Sequence, residues 1–277
     1  MFREIVFKVS DEVERIVERM YEENFYTFSI EEEEEGTFLK IYLNPGEDIP
    51  DFLRGMNLEF VQEKEILPSD WLPKDLLKPF EVAPNLVVDP SDVLEDEERI
   101  VIKLTPGLAF GTGYHPTTRM ALSFIVENIK NGMTFLDVGC GTGILSIAAK
   151  KLGAGKVLAV DIDPQAVEIA IENALRNDVK IDVLESNLLE KVKGKYDMIA
   201  ANILPEILLE LLEDVHRVSH NKTILILSGI TEEKEKILLD RSRSKGWTLA
   251  DKKVEDDWIC FLMKRSSKSS LEERRRI

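Results

Sequence analysis

Cysteine is nearly missing from this chain of 277 residues: two thiols, Cys140 and Cys260, exclude a disulfide framework and offer no zinc-ligand spacing. Long apolar runs are missing too. The longest are strand-sized, and Arg3 and Glu4 interrupt the front of the chain, so neither a membrane span nor a secretory signal is expected and the chain reads as cytoplasmic. Glutamine occurs only at Gln62 and Gln165 beside 32% charged residues, a bias found in thermophilic proteins. Positive charge is in deficit. The formal net charge of −16 repels phosphate backbones, so no direct nucleic-acid readout is expected, whereas a basic protein partner is favoured. Residues 1–60 carry 16 acidic and 6 basic side chains, a balance of −10, with Glu31 to Glu35 the densest part. That run reads as a solvated strand edge or as a docking patch for a basic substrate.

What is present is a ligand-binding turn. Thr134-Phe-Leu-Asp-Val-Gly-Cys-Gly-Thr-Gly-Ile-Leu-Ser-Ile-Ala-Ala149 joins an apolar strand to a small-residue helix through Gly139, Gly141 and Gly143. Glycines let backbone approach a ligand closely, and the helix N-terminus offers free N–H groups. A dinucleotide fingerprint requires G-x-G-x-x-G, but the third glycine would fall on Ile144, which disfavours a pyrophosphate. A second apolar run, Lys156 to Val160, ends in Asp161, where an acid at a strand end can grip both hydroxyls of a ribose. A later run ends in Ala201-Asn202. Together these elements resemble the S-adenosylmethionine site of a Rossmann-like methyltransferase.

The order of elements divides the chain. Residues 2–9, Tyr26–Ile30, Phe38–Leu43 and Leu58–Ile66 read as strands, 11–24 as a helix and Pro50–Gly55 as a short one, so 1–66 has the βαββαβ order of a small ferredoxin-like α+β domain. Five of the eleven prolines (Pro68, Pro73, Pro79, Pro84, Pro90) then fall close together, and 67–99 reads as a proline-rich linker. From residue 100 strands alternate with helices, at 134–138, 156–160, 181–185, 196–201 and 223–228, followed by two terminal strands near 247–254 and 257–263. This predicts a doubly wound parallel sheet over 100–265, with a disordered tail at 266–277. The segment from residue 96 onward is expected to fold alone.

A loop before the first helix of this half, Pro106-Gly-Leu-Ala-Phe-Gly-Thr-Gly-Tyr-His-Pro-Thr-Thr118, makes the resemblance specific. With the Asp137–Gly143 turn, Asp161-Ile-Asp-Pro164 and Asn202-Ile-Leu204, the chain resembles the bacterial ribosomal protein L-eleven methyltransferase family. Tyr114 departs from that family, which usually has threonine there. The resemblance implies an S-adenosylmethionine-dependent enzyme that methylates amines of the basic ribosomal protein L-eleven, lysine side chains or the N-terminal amino group. The front domain would recognise that substrate. Carried over, it implies cofactor contacts from Thr118, Gly139, Gly141, Asp161 and Asn202. Thr118 can equally cap the helix it opens. A side chain at Gly139 is expected to intrude on ligand space rather than on the core.

Little acid–base machinery is expected, because a sulfonium is already activated. No catalytic residue is certain; His115 and Asn202 are the candidates, for proton removal and for orienting the amine. His216 and His220, four apart, read as solvated residues near the end of one helix without a third metal ligand, so no metal is expected. Cys140 reads as an apolar filler. A nucleic-acid base or small-amine methyltransferase shares the fold, but Asn202-Ile-Leu-Pro205 lacks an aromatic to stack a flipped base. A nicotinamide oxidoreductase is disfavoured by the glycine spacing, and a non-catalytic scaffold by the complete set of cofactor elements.

Overall fold

The computed structural model describes residues 2–9, 13–23, 25, 28–33, 36–43, 46–66, 78–90, 94, 96, 98–104 and 113–265. It divides into two compact units, Met1–Leu76 and Leu77–Ile277. In the first, β1 (Phe2–Val9), β2 (Phe28–Glu33), β3 (Gly36–Leu43) and β4 (Leu58–Ile66) form one sheet in the order β2-β3-β1-β4, every neighbouring pair antiparallel. One face of alternate residues, Ile5 and Phe7 with Leu39, Ile41 and Leu43, meets Ile16 and Met20, one turn apart on α1 (Val13–Glu22). The expected second helix is a 3-10 turn, Asp51–Gly55. β2 runs on through Glu31–Glu33, because cross-strand pairing with Phe38, Thr37 and Gly36 outweighs the poor strand propensity of glutamate. Glu31 is ion-paired to Lys40 there.

The second unit holds two sheets. β8 (Phe135–Val138), β9 (Val157–Asp161), β10 (Asp182–Glu185), β11 (Tyr196–Asn202), β12 (Ser219–Thr231), β13 (Trp247–Glu255) and β14 (Trp258–Arg265) lie in the order β10-β9-β8-β11-β12-β14-β13. Burial on both faces follows the two-residue period of the strands. Phe135, Met198, Ala200, Ile226, Cys260 and Leu262 join the cluster under α2 (Pro116–Asn128) and α3 (Ile144–Lys151). Leu136, Val138, Ile199, Leu225, Leu227, Phe261 and Met263 join the cluster that includes α5 (Pro205–Asp214) and Leu238 of α6 (Glu232–Ser244). α4 (Pro164–Arg176) packs beside β9 and β10.

Two sequence expectations need correction. The sheet is mixed: β14 is antiparallel to both β12 and β13. A two-residue turn at Asp256-Asp257, with Asp256 at φ 52°, forces a hairpin where a crossover helix would have been needed for parallel pairing. The reading of 67–99 as linker fails over its second half. There β5 (Phe80–Ala83) and β6 (Leu86–Asp89) pair with β7 (Ile100–Lys103), and Val82, Ala83, Leu86 and Val88 enter the main core. Pro79, Pro84 and Pro90 stand outside these four-residue strands, where the missing N–H costs no ladder bond. Residues 67–77 and the tail 266–277 lie outside the described residues, as does 105–112 of the loop before α2. No helix among the described residues is long and apolar enough to cross a membrane.

The core position of β6 sets where the chain can be cut. A fragment beginning at residue 96 should be less stable than one beginning at Leu77 by about 5 kcal/mol, the burial of Leu86, Val87 and Val88. Urea unfolding of the two fragments checks this, and equal midpoints would show that β5 and β6 do not carry the core.

Candidate functional site

Strand order reverses between β8 and β11, so their following connections diverge and leave a crevice at the carboxyl ends of the strands. A cavity of about 430 Å3 lies there, lined by His115, Thr118, Gly139, Gly141, Asp161 and Asn202 among others. Every candidate position of the sequence reading is therefore gathered at one place. Three of the neighbouring helices open on prolines, Pro116, Pro164 and Pro205, each at the first helical position where its missing N–H is no loss.

The turn after β8 works through its backbone. Gly139, Gly141 and Gly143 have φ of 72°, 52° and 77°, conformations that side chains resist. Asp161 fixes the turn from the next strand: Oδ2 accepts from the Gly141 N–H at 2.9 Å and Oδ1 from the Asp163 N–H at 3.1 Å. Each oxygen keeps a further lone pair for a ligand. The space a side chain at Gly139 would enter is held by Ile203, which itself lines the cavity. A Cβ there would stand 2.2 Å from Cγ2 of Ile203, so the position is closed by the protein itself.

α3 has no capping side chain, its N-cap being Gly143, and Asp137 supplies one from within β8. Asp137 Oδ2 accepts from the Ser146 N–H at 3.1 Å and the Ser146 hydroxyl at 2.8 Å. The carboxyl is fully buried and Oδ1 has no partner. Desolvation pushes its pKa up to about 7, against the hydrogen bonds from Ser146 and with some help from the nearby Asp161 charge.

On the other flank Asn202 ends β11. Its Nδ2 donates to Thr118 Oγ1 at 3.2 Å, and its Oδ1 is buried with no hydrogen-bond partner. A buried amide oxygen left open is costly unless a ligand donates to it. Thr118, itself buried, is held in the first turn of α2 by its N–H to the His115 carbonyl. His115 caps that helix through Nδ1, which accepts from the Thr117 N–H and lies 2.7 Å from Thr117 Oγ1. With Nδ1 engaged by the helix in this way, taking up a proton there from an amine would disrupt the cap. His115 also meets the Trp258 ring edge to face, with centroids 4.9 Å apart.

Several positions fall differently from the sequence reading. His216 lies in a 3-10 turn and His220 on β12, bonded to Asp197, so they do not share a helix. Among the described residues no cluster could hold a metal ion. Burial raises the Cys140 thiol far above its ordinary pKa, and the side chain packs on Ala159 and Ala170. Tyr114 stacks on Phe80 of β5 at 3.8 Å, a contact no threonine could make. Sequence reasoning missed Ser186 to Leu188, which line the cavity after β10, although the same strand-end logic would have found them. It also missed Trp258 and Gly229, which arrive through long-range packing and carry no local signal.

A family model described as ribosomal protein L11 methyltransferase matches residues 8–266. Proteins named ribosomal protein L11 methyltransferase from Thermotoga petrophila and Thermotoga maritima are 51% and 49% identical over 266 residues, covering 96% of this chain and 99% of each relative. A crystal structure described as ribosomal protein L11 methylase from Lactobacillus delbrueckii subsp. bulgaricus superimposes with a TM-score of 0.64 at 33% identity, over 68% of this chain and 99% of that one.

Asp137 gives the site a pH signature. Its folded pKa of about 7 lies above the unfolded value of 3.8, so between these pH values the folded state binds more protons and stability falls as pH rises. Asp137→Asn, which keeps an acceptor for Ser146, should remove that slope. Melting temperatures of wild type and variant from pH 4 to 7 provide the check. Two parallel curves would show that Asp137 ionises normally.

Proposed function

The chain belongs to the ribosomal protein L11 methyltransferase family, and we propose that it transfers methyl groups from S-adenosylmethionine to amines of ribosomal protein L11, lysine side chains or the N-terminal amino group. The observation that carries this reading is the cavity at the strand-order reversal, with the Asp161 carboxylate on one flank and the unpartnered Asn202 amide oxygen on the other. S-adenosylmethionine, when bound, supplies a methyl group on a sulfonium, already activated towards a nucleophile. The residues present fit it. Asp161 retains lone pairs for ribose hydroxyls, the backbone at Gly139 and Gly141 permits close approach, and Thr118 holds the Asn202 amide with its oxygen free to accept an N–H.

The protein's remaining task is to hold a neutral amine. At pH 7 a lysine amine of pKa about 10.4 costs roughly 4.6 kcal/mol to deprotonate and an α-amino group near 7.8 about 1 kcal/mol. Ile144, Leu145, Ile203, Leu204, Ile207 and Trp258 make the cavity largely apolar, which disfavours the ammonium and lowers that cost. Asn202, as an acceptor for one amine N–H, turns the lone pair rather than removing a proton. No general base is required, and His115 is committed to its cap. A basic ribosomal protein suits a chain of net charge −16, whose balance of −10 over residues 1–60 puts most of the attraction on the first unit.

Mass spectrometry of L11 incubated with the enzyme and S-adenosylmethionine tests the function. Gains of 14 Da multiples on amines are expected, and methylation of RNA without L11 would support the nucleic-acid alternative instead. For the site, Asp161→Ala should weaken S-adenosylmethionine binding by about 1–3 kcal/mol in calorimetry, through loss of the acceptor and loosening of the Gly141 turn. Unchanged affinity in a folded variant would remove Asp161 from the site.

A further inference from the structure

Asn202 does not stand in place by itself. In the last rung of the pairing between β11 and β12 it lies opposite Ser228. There β12 is irregular: Leu227 pairs with Phe261 and Ile230 with Ile259, so two residues of β12, Ser228 and Gly229, face the single residue Cys260 of β14. Ser228 is fully buried, and its hydroxyl donates to the Thr117 carbonyl at 2.8 Å, in the same first turn of α2 that carries Thr118. Gly229 has φ of 85°, and a Cβ on it would stand 2.5 Å from the Ile203 carbonyl oxygen and 3.2 Å from its carbon. Those are backbone atoms, which cannot swing aside as a side chain can. The opposite side of the same residue is closed by Gly139, whose absent Cβ leaves room for Ile203 Cγ2. Ile203 is thus clasped between two glycines, its side chain against one and its peptide against the other.

We propose that the Ser228–Gly229 bulge of β12 is a positioning element for methyl transfer: it seats the Ile203 peptide and anchors the first turn of α2, and so fixes the direction in which the Asn202 amide oxygen faces the amine. The proposal rests on the reading of Asn202 as the amine's acceptor. Ser228 and Gly229 act on that oxygen from both ends of the amide, Gly229 through the adjoining peptide and Ser228 through the turn that bears Thr118. Gly229 lines the cavity and Ser228 does not, but the effect of each on the Asn202 amide passes through the Ile203 peptide or through α2, so the bulge governs alignment rather than binding. A displacement of the order of 1 Å at a reacting centre costs about 100-fold in rate.

The test compares two glycines that share a left-handed backbone. Gly194, at φ 92°, has nothing within 4 Å of a built Cβ, so Gly194→Ala reports backbone strain alone. Gly229→Ala adds the collision with Ile203. With full-length enzyme and whole L11, Gly229→Ala should lower kcat about 10- to 100-fold, keep the S-adenosylmethionine dissociation constant within about twofold, and leave KM for L11 nearly unchanged. Gly194→Ala should keep wild-type kcat. On an Asn202→Ala background, Gly229→Ala should bring little further loss, because both act through one amide. Equal kcat for the two glycine variants, or a full additive loss on the Asn202→Ala background, overturns the proposal. Should Gly229→Ala fail to fold, Ser228→Ala takes its place: the same fall in kcat is expected, with Ser228→Thr recovering most of it through its hydroxyl. Wild-type kcat in Ser228→Ala then overturns the proposal. Asn202→Ala measured alone separates the levels, since wild-type kcat there would sink the reading of Asn202 itself, whereas the glycine comparison bears only on the bulge.

Discussion

Burial on both faces is the constraint from which the catalytic unit follows. β8, β11, β12 and β14 each give alternate residues to two separate apolar clusters, so no position along their lengths can carry an unpaired polar group without cost. Chemistry is therefore pushed to strand ends. Asp161 ends β9, Asn202 ends β11, the glycine turn follows β8 and Ser186 follows β10. The order of the strands then decides which of these ends meet. Because β8 lies between β9 and β11, the turn that follows β8 has Asp161 on one side and Asn202 on the other. A ligand there has a carboxylate at one flank and an open amide oxygen at the other.

Asp137 is the exception along a strand, and its exception is instructive. Facing the helix side of β8, it does the work that an N-cap residue would do for α3, whose cap position must be glycine to let the turn close. A serine or aspartate at residue 143 would have been the cheaper cap in energy, but the left-handed backbone there, with Ala170 3.1 Å from any Cβ, forbids it. The carboxyl is buried instead, at the expense of a pKa pushed up to about 7. A stability penalty is thus accepted so that the turn can keep its left-handed glycine backbone.

These two levels were unequally visible in the sequence. The glycine turn, Asp161 and Asn202 were legible because glycine spacing and the change from strand to helix period are local signals, and the small front domain was legible from alternation alone. β5 and β6 were hidden by the prolines around them and by their four-residue length, too short for periodicity to register. The antiparallel β14 was hidden because two adjacent runs give no direction until the turn between them is seen to be two residues long. Least legible was Gly229. Its role depends on Ile203, and a lone glycine in an apolar strand gives no sign of a peptide pressed against it from a neighbouring strand end.

Attraction and selection then act over different ranges. The negative balance of residues 1–60 can gather a basic protein from solution, but at physiological salt its field decays within about 8 Å, and every lysine on such a partner responds to it alike. It cannot choose an amine. On the function proposed above, choice requires a step that charged lysines in water do not satisfy: the ammonium must shed its proton and its hydration to enter a largely apolar cavity walled in part by Ile, Leu and Trp side chains. On that reading, an amine whose surroundings on the substrate fit that mouth would recover part of the cost through the open amide oxygen of Asn202. On that proposal an acidic exterior and an apolar interior are complementary: the first would raise the local concentration of cations, and the second would accept them only as neutral nucleophiles.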